Sequence, residues 1–371
     1  MSKINIKTLT SVHVGSGNML QYNYDFVITH IPSKEQTFIR ILDDRKILSL
    51  IGVERLQDWV RGIERNKDTK DMIKGFAPNA KPDDYSKKKI ECFSDEIKST
   101  DSLKECIHDG RGLPYIPGSS IKGAIRTAVL ASLVGKYVPN ADNYITNGIG
   151  KVSASQIEHI LFGNDPTQDV FKFIRVGDAF FSDESEIVIR LINLNIRDSF
   201  DDLKDTSKSQ LVDVIREQES SSFNLTIDAK KYDFAVSHHA PVGNLRDEFN
   251  NINNLFMLIN AHSRSLVEKE INRWTNINKT GAEDYVDNMQ AILDQINACQ
   301  KGKECVLRIG HASGWRFTTG GWAEELNNFP STVVPQSRPK NYNYESYVFP
   351  KTRRLDTDGD ILGFVKLSIA E

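Results

Sequence analysis

Leu113-Pro114-Tyr115-Ile116-Pro117-Gly118-Ser119-Ser120-Ile121-Lys122-Gly123-Ala124-Ile125-Arg126 joins a glycine and serine turn to the start of a helix and sets two cations in that helix. Pro117 fixes φ, Gly118 opens conformations closed to other residues, and Ser119 or Ser120 offers a hydroxyl to cap the first turn. The helix continues through Ile121, Ala124, Ile125, Ala128, Val129 and Leu133, which keep helical period. Lys122 and Arg126 share one face near its N-terminus, where unpaired N–H groups and the dipole favour an anion. Two readings stay open here: a site for phosphates, with a nucleic-acid backbone as the natural guest, or ordinary capping of an amphipathic helix. A nucleoside-triphosphate loop is excluded, because Lys122 precedes Gly123 and no Ser or Thr stands beside the lysine to hold magnesium.

Upstream, residues 4 to 14 alternate as a strand and end in the glycine-rich turn Val14-Gly15-Ser16-Gly17-Asn18. Tyr24 to Ile31 is expected to pair with that strand, Phe38 to Leu42 forms another, and Arg45 to Ile63 has helical spacing. Residues 64 to 112 break the pattern and read as a polar insertion or surface excursion, with Lys87-Lys88-Lys89 a solvated face. Downstream come a short helix from Ser153, with that serine as cap, to Phe162, and strands at Phe171 to Val176 and Glu186 to Leu191. The Asp, Lys and Ser rich residues 197 to 220 are expected at a domain junction, and Phe223 to Val236 is expected to be extended. Two amphipathic helices follow, one marked by Leu245, Phe249, Ile252, Phe256, Ile259 and Leu266, the other spanning Glu283 to Cys299; Gly359 to Ile369 is a final strand. Between them, the loop from Leu307 to Trp322 interleaves glycines, aromatics and Arg, a composition that allows close approach to an RNA backbone and stacking on Trp315 or Trp322.

The 371 residues predict two α+β units of ordinary size, and 39% hydrophobic residues suffice for both cores. No run of about 18 apolar residues exists to span a bilayer. Met1 to Ile6 enters a strand-like alternation without a signal-peptide core, so a cytoplasmic location is expected. Cys92, Cys106, Cys299 and Cys305 have neither the pairing of a zinc site nor the density of a secreted scaffold, which predicts free thiols. The net charge of −3 excludes general coating of nucleic acid, so any RNA contact must be local.

Four segments together resemble the RAMP superfamily of CRISPR proteins: Val12 to Gly17, Tyr115 to Arg126, Arg175-Val176-Gly177-Asp178-Ala179, and Gly310 to Trp315. Their order and the chain length look most like the fifth Csm subunit of type III-A effector complexes. The resemblance implies two ferredoxin-like, RRM-related modules, at 1–200 with an insertion near 64–112 and at 201–371 with two long helices and a glycine-rich loop. It implies a noncatalytic subunit that caps the 3′ side of the guide (crRNA) and supports its maturation. Expected neighbours are the backbone-forming third Csm subunit, the small second subunit, target RNA and host trimming nucleases. No cofactor or metal is expected. Carried over, the RNA-binding role falls on Gly118, Ser119, Ser120, Lys122 and Arg126, on His13, Gly15, Ser16 and Gly17, and on Gly310, His311, Ser313, Gly314, Trp315 and Arg316.

The rival is an enzyme. Slicing members of the superfamily use an Asp after the first strand, and Asp25 lies in that region, but Gln21 to Val27 reads as strand around it. Ser237-His238-His239, with His13 or Asp178, would supply metal ligands or an acid and base for RNA cleavage, yet adjacent histidines on a strand face opposite ways. A repeat-processing endonuclease with a histidine base is the remaining alternative.

Overall fold

In the computed structural model the described residues are all but 95, 145, 149, 150, 154, 197–200, 319, 330, 332–348 and 371, with backbone alone described at 146–148 and 151–153. The first strands are β1 (Ser2–Thr8), β2 (Gly15–Gln21), β3 (Phe26–Ile31) and β4 (Gln36–Leu42), followed by helices α1 (Asp44–Ile51), α2 (Leu56–Glu64) and α3 (Thr69–Phe76). Then come β5 (Ser86–Cys92), β6 (Ser102–Cys106), β7 (Tyr115–Ile116), α4 (Gly118–Tyr137), β8 (Thr146–Gly148), β9 (Lys151–Ser153) and α5 (Ser155–Phe162). Strands β10 (Ile174–Val176), β11 (Ala179–Phe180), β12 (Glu186–Asn195), β13 (Lys204–Ile215) and β14 (Ser220–Ile227) lead into α6 (Ala229–Ser237), α7 (Ile252–Thr275) and α8 (Ala282–Ala298). The chain ends with β15 (Glu304–Arg308), β16 (Thr352–Asp356) and β17 (Phe364–Ile369).

These elements make a mixed α+β fold around two large sheets. The smaller has the order β10-β14-β1-β17-β15. Within it β1, α4, β10, β14, α7 and β17 run as β-α-β-β-α-β, and every strand pairing is antiparallel. Ile4, Ile6, Phe223, Leu225 and Leu367 on this sheet form one core with Ile121, Ile125 and Val129 of α4 and Leu255, Phe256 and Ile259 of α7. Each such fully buried side chain contributes about 1.5–3 kcal/mol. The larger sheet has the order β2-β6-β13-β12-β5-β4-β3, and β16 pairs the second half of β12. Phe26, Ile39, Ile90, Leu103 and Leu211 fill one core on it, and Ile187, Ile189, Leu191, Val212 and Val214 fill another. The β12–β5 and β13–β6 pairings are parallel, so this sheet follows a different path from the smaller one.

Several expectations are corrected. Tyr24 to Ile31 does not pair with residues 4 to 14, because the turn at Pro32–Lys34, with Glu35 at φ 51, folds β3 straight back on β4. The glycine run is not a turn but the exposed edge strand β2, bulged between Gly15 and Met19 against β6. Arg45 to Ile63 is two helices, broken where Gly52 takes φ 80. Residues 64 to 112 are no surface excursion: they supply α3, β5 and β6, and Lys88 points inward with its side chain 13% exposed. Of the expected junction, 204–215 is β13, paired with β12 in the middle of the larger sheet; its first half is polar, and Leu211 to Ile215 are buried. Residues 228 to 237 form a cap and helix rather than extended chain, and the helix sought from Leu245 starts at Ile252, capped by the Asn251 side chain. Strands from both sides of residue 200 enter each sheet. Ser153 as a cap lies outside the described side chains. All four cysteines are free thiols.

Candidate nucleic-acid interface

The start of α4 is built without help from its serines. Pro117 occupies the N-cap with no side-chain bond, and the Gly118 N–H donates instead to Asp178 Oδ1 at 2.7 Å. Gly118 is dictated by packing: a Cβ there would stand 2.2 Å from the Val176 carbonyl oxygen. Ser119 is exposed and Ser120 half-buried. The chain's own carboxylate thus takes the place at the helix N-terminus where an anion was expected. Arg126 is likewise engaged, donating to Asp169 at 2.7 Å and Glu158 at 3.1 Å while its guanidinium lies over the Phe162 ring. Lys122 is half-buried and carries no salt bridge among the described residues; burial lowers its ammonium pKa, against the pull of Asp169.

The other two glycine segments are brought together. The His311 N–H donates to the His13 carbonyl at 2.8 Å, and Gly310, at φ 78, leaves room for that approach because its Cβ would lie 2.3 Å from the same oxygen. His13 is fully buried. Its Nδ1–H donates to the Asp213 carbonyl at 2.6 Å, and burial pushes its pKa down to about 4, so the ring is neutral at pH 7. The His13 and His311 rings meet edge to face at 5.6 Å. Gly15, Ser16 and Gly17 lie exposed along β2, with Ser16 and Asn18 donating to Glu105 at 2.9 Å. Ile107 bridges this edge to the α4 segment, its N–H donating to Val14 and its carbonyl accepting from Tyr115.

The rest of the late loop turns inward. Ser313 closes the turn on the Gly310 carbonyl at 2.8 Å, and Gly314 takes φ 78. Trp315 is half-buried against Phe329 and Phe349, and Trp322 is buried. Arg316 is buried and held by Glu270 at 2.7 Å and by both oxygens of Glu324, so its guanidinium supports the fold and is not offered to a ligand. Arg353 shares Glu270, making an Arg-Glu-Arg triad that the Tyr285 hydroxyl completes.

Lys104 and Arg354 went unnoticed in the sequence although they stand beside this face. Lys104 Nζ lies 3.4 Å from His311 Nδ1. In Ser102-Leu103-Lys104-Glu105-Cys106 the inward residues Leu103 and Cys106 stand three apart, so no strand alternation marks Lys104 in the sequence. A second unforeseen cluster lies deeper: His108, Glu186 and Asp213 face one another within 4.8 Å. Their donor types suit a divalent cation, but the Lys88 ammonium is paired to Glu186 and lies 3.1 Å from His108 Nε2. Burial and the neighbouring Glu186 push the Asp213 carboxyl well up, whereas Glu186, despite burial, is held low by bonds from Asp213 and His108 and by the Lys88 charge. His238 and His239 are exposed at the end of α6, and Asp25 accepts from the Gln21 N–H at 2.7 Å; neither joins this cluster or His13.

A sequence profile of the RAMP superfamily matches residues 5–317. The chain belongs to the RAMP superfamily. Among RAMP proteins it is similar to the CRISPR system Cms protein Csm5 of Methanocaldococcus jannaschii, 27% identical over 185 residues, which are 48% of this chain and 42% of the relative. It is also similar to the Csm5 of Streptococcus thermophilus, 24% identical over 201 residues, 50% of this chain and 54% of that one. The matches thus span about half the length of these relatives. In fold it resembles a chain of the cryo-EM structure of a Csm-crRNA-target RNA ternary complex of a type III-A CRISPR-Cas system. That match has a TM-score of 0.71 and 22% identity, covering 99% of this chain and 100% of that one. The crystal structure of T. onnurineus Csm5 gives 0.66 at 20% identity, over 97% and 99%. Among the described residues no helix is long and apolar enough to cross a membrane.

Proposed function

We propose that this RAMP protein is a noncatalytic, cytoplasmic guide-RNA-binding subunit of a type III-A CRISPR complex, placed at the 3′ side of the crRNA. Its neighbours there are the third and small second Csm subunits and target RNA, and it supports maturation by host trimming nucleases. The observation that carries the reading is the His311 to His13 hydrogen bond. It joins the exposed glycine strand β2 and the Gly310 loop, two segments that the superfamily resemblance assigns to RNA, into one face. The smaller sheet supports it: the β-α-β-β-α-β path with strands in the order β17-β1-β14-β10 is that of a ferredoxin-like module. The larger sheet follows a strand path of its own. On this reading the RNA meets Gly15, Ser16, Gly17 and the Gly310–Gly314 turn, with the exposed Ser119 and the half-buried Lys122 at the far end, while Arg126, Trp315 and Arg316 hold the walls in place.

The test is binding of guide-length single-stranded RNA to the purified chain across a salt series, with manganese present. The expected result is binding that weakens as salt rises, with the RNA intact. Failure to bind, or cleavage that disappears in a His108→Ala variant, would overturn it.

A further inference from the structure

We infer that Lys104, His311 and Arg354 form a binding site for a phosphate-type anion, filled by a phosphodiester of single-stranded RNA. The site deepens the RNA-binding reading above and rests on it for the identity of the ligand. Strand register brings the groups together. Lys104 on β6 pairs with Val212 on β13, Val212 with Ile189 on β12, and Asn193, two alternations further along β12, with Arg354 on β16. Paired residues, and residues two apart on a strand, point to the same side of a sheet. Lys104 and Arg354 therefore share the face that carries Ile189, Leu191 and Val212, the face on which Ala312 of the glycine loop packs. That loop lays His311 beside Lys104.

The chemistry there is unbalanced. The Lys104 ammonium donates to His311 Nδ1, which leaves the ring proton on Nε2. That Nε2 and Arg354 Nη1 are both buried with no hydrogen-bond partner. Among the described residues no carboxylate pairs with Lys104, His311 or Arg354, whereas the nearby cations Lys88, Arg190, Arg316 and Arg353 each have one. Burial, and the positive neighbours after it, lower the pKa of Lys104 and bring that of His311 to about 4. Two cations and a neutral ring N–H thus stand together with no carboxylate to receive them, an arrangement that a phosphate oxygen satisfies. Lys104 also pairs with Met19 of β2, so the site opens beside the exposed glycine backbone that a nucleic-acid strand could follow.

Two arms test this on the full chain. In the first, guide-length RNA is titrated against wild type, Lys104→Ala/Arg354→Ala and Arg354→Lys across salt. The expectation is a loss of about tenfold or more in the double variant, a salt slope shallower by roughly 1 to 2, and partial retention in Arg354→Lys. In the second, inorganic pyrophosphate is added while the His311 ring nitrogens are followed by NMR, expecting a shift in wild type that the double variant lacks. Because the substitutions relieve repulsion, the melting temperature should hold or rise; a fall would mean that these cations serve the fold, and would overturn the site. A pyrophosphate response with RNA binding unchanged would overturn the phosphodiester and leave a free-phosphate site. No response in either arm would overturn both. If wild type bound no RNA, the RNA-binding reading would fail, and the pyrophosphate arm would still decide whether the anion site exists.

Discussion

Glu270 shows how a single side chain decides what its neighbours are free to do. It is fully buried and accepts from Arg316, from Arg353 through two nitrogens, and from the Tyr285 hydroxyl. Burial by itself would raise its pKa; Arg353 first, then Arg316 and Tyr285, bring it to about 2. Since the folded pKa lies below the unfolded value of 4.5, the stabilisation is fully present above that pH and is lost as pH falls toward 2. Replacing Glu270 with Gln leaves the Arg353 guanidinium in the interior without a counter-charge and Arg316 with Glu324 alone, a cost of about 3–5 kcal/mol at pH 7. Urea unfolding over a pH series should show that loss, together with a flatter decline between pH 4.5 and 2 than wild type. The sequence showed Arg316 as a cation in a glycine loop but gave no sign of Glu270, because the pairing spans 46 residues and appears only when α7 packs under the loop.

At the level of elements, α4 was legible and its cap was not. Ile121, Ile125, Ala128, Val129 and Leu133 announce the helix and are all buried as their spacing implies. The capping carboxylate comes from Asp178, 60 residues downstream, and local capping rules point to the adjacent serines instead. Asp178→Ala is therefore expected to cost about 1 kcal/mol, within the usual range for a lost cap, whereas Ser119→Ala should change stability little. Thermal melts of the two variants side by side check this. The strand β5 failed to register for a related reason. Ser86-Lys87-Lys88-Lys89-Ile90-Glu91-Cys92 has no apolar alternation in its first half, because the inward position is filled by Lys88, whose charge is met by Glu186.

For the whole molecule, the mixed α+β class could be read from alternating and helical periods, but the sheet orders could not. Nothing local in Ile4 or Ile6 says that β1 will lie between β14 and β17. Deleting residues 364–371 is expected to remove one whole side of β1 and expose Val365 and Leu367's share of the main core. Limited proteolysis should then cut β1 and α4 as readily as the new end. A truncated chain in which those elements stay protected would show the smaller sheet to be more tolerant than its topology implies.

The central position of β1 also bears on how the protein is made. During synthesis β1 is available before β17, so one of its two edges has no partner until β17 has been made, and the smaller sheet closes only after every element between the two exists. Until then a strand with Ile4 and Ile6 on one face keeps an open edge, and such late, long-range pairing is a feature of slow folding. A translational stall between α8 and β17 would leave a chain with helices α1 to α8 already made and an adhesive seam along its middle.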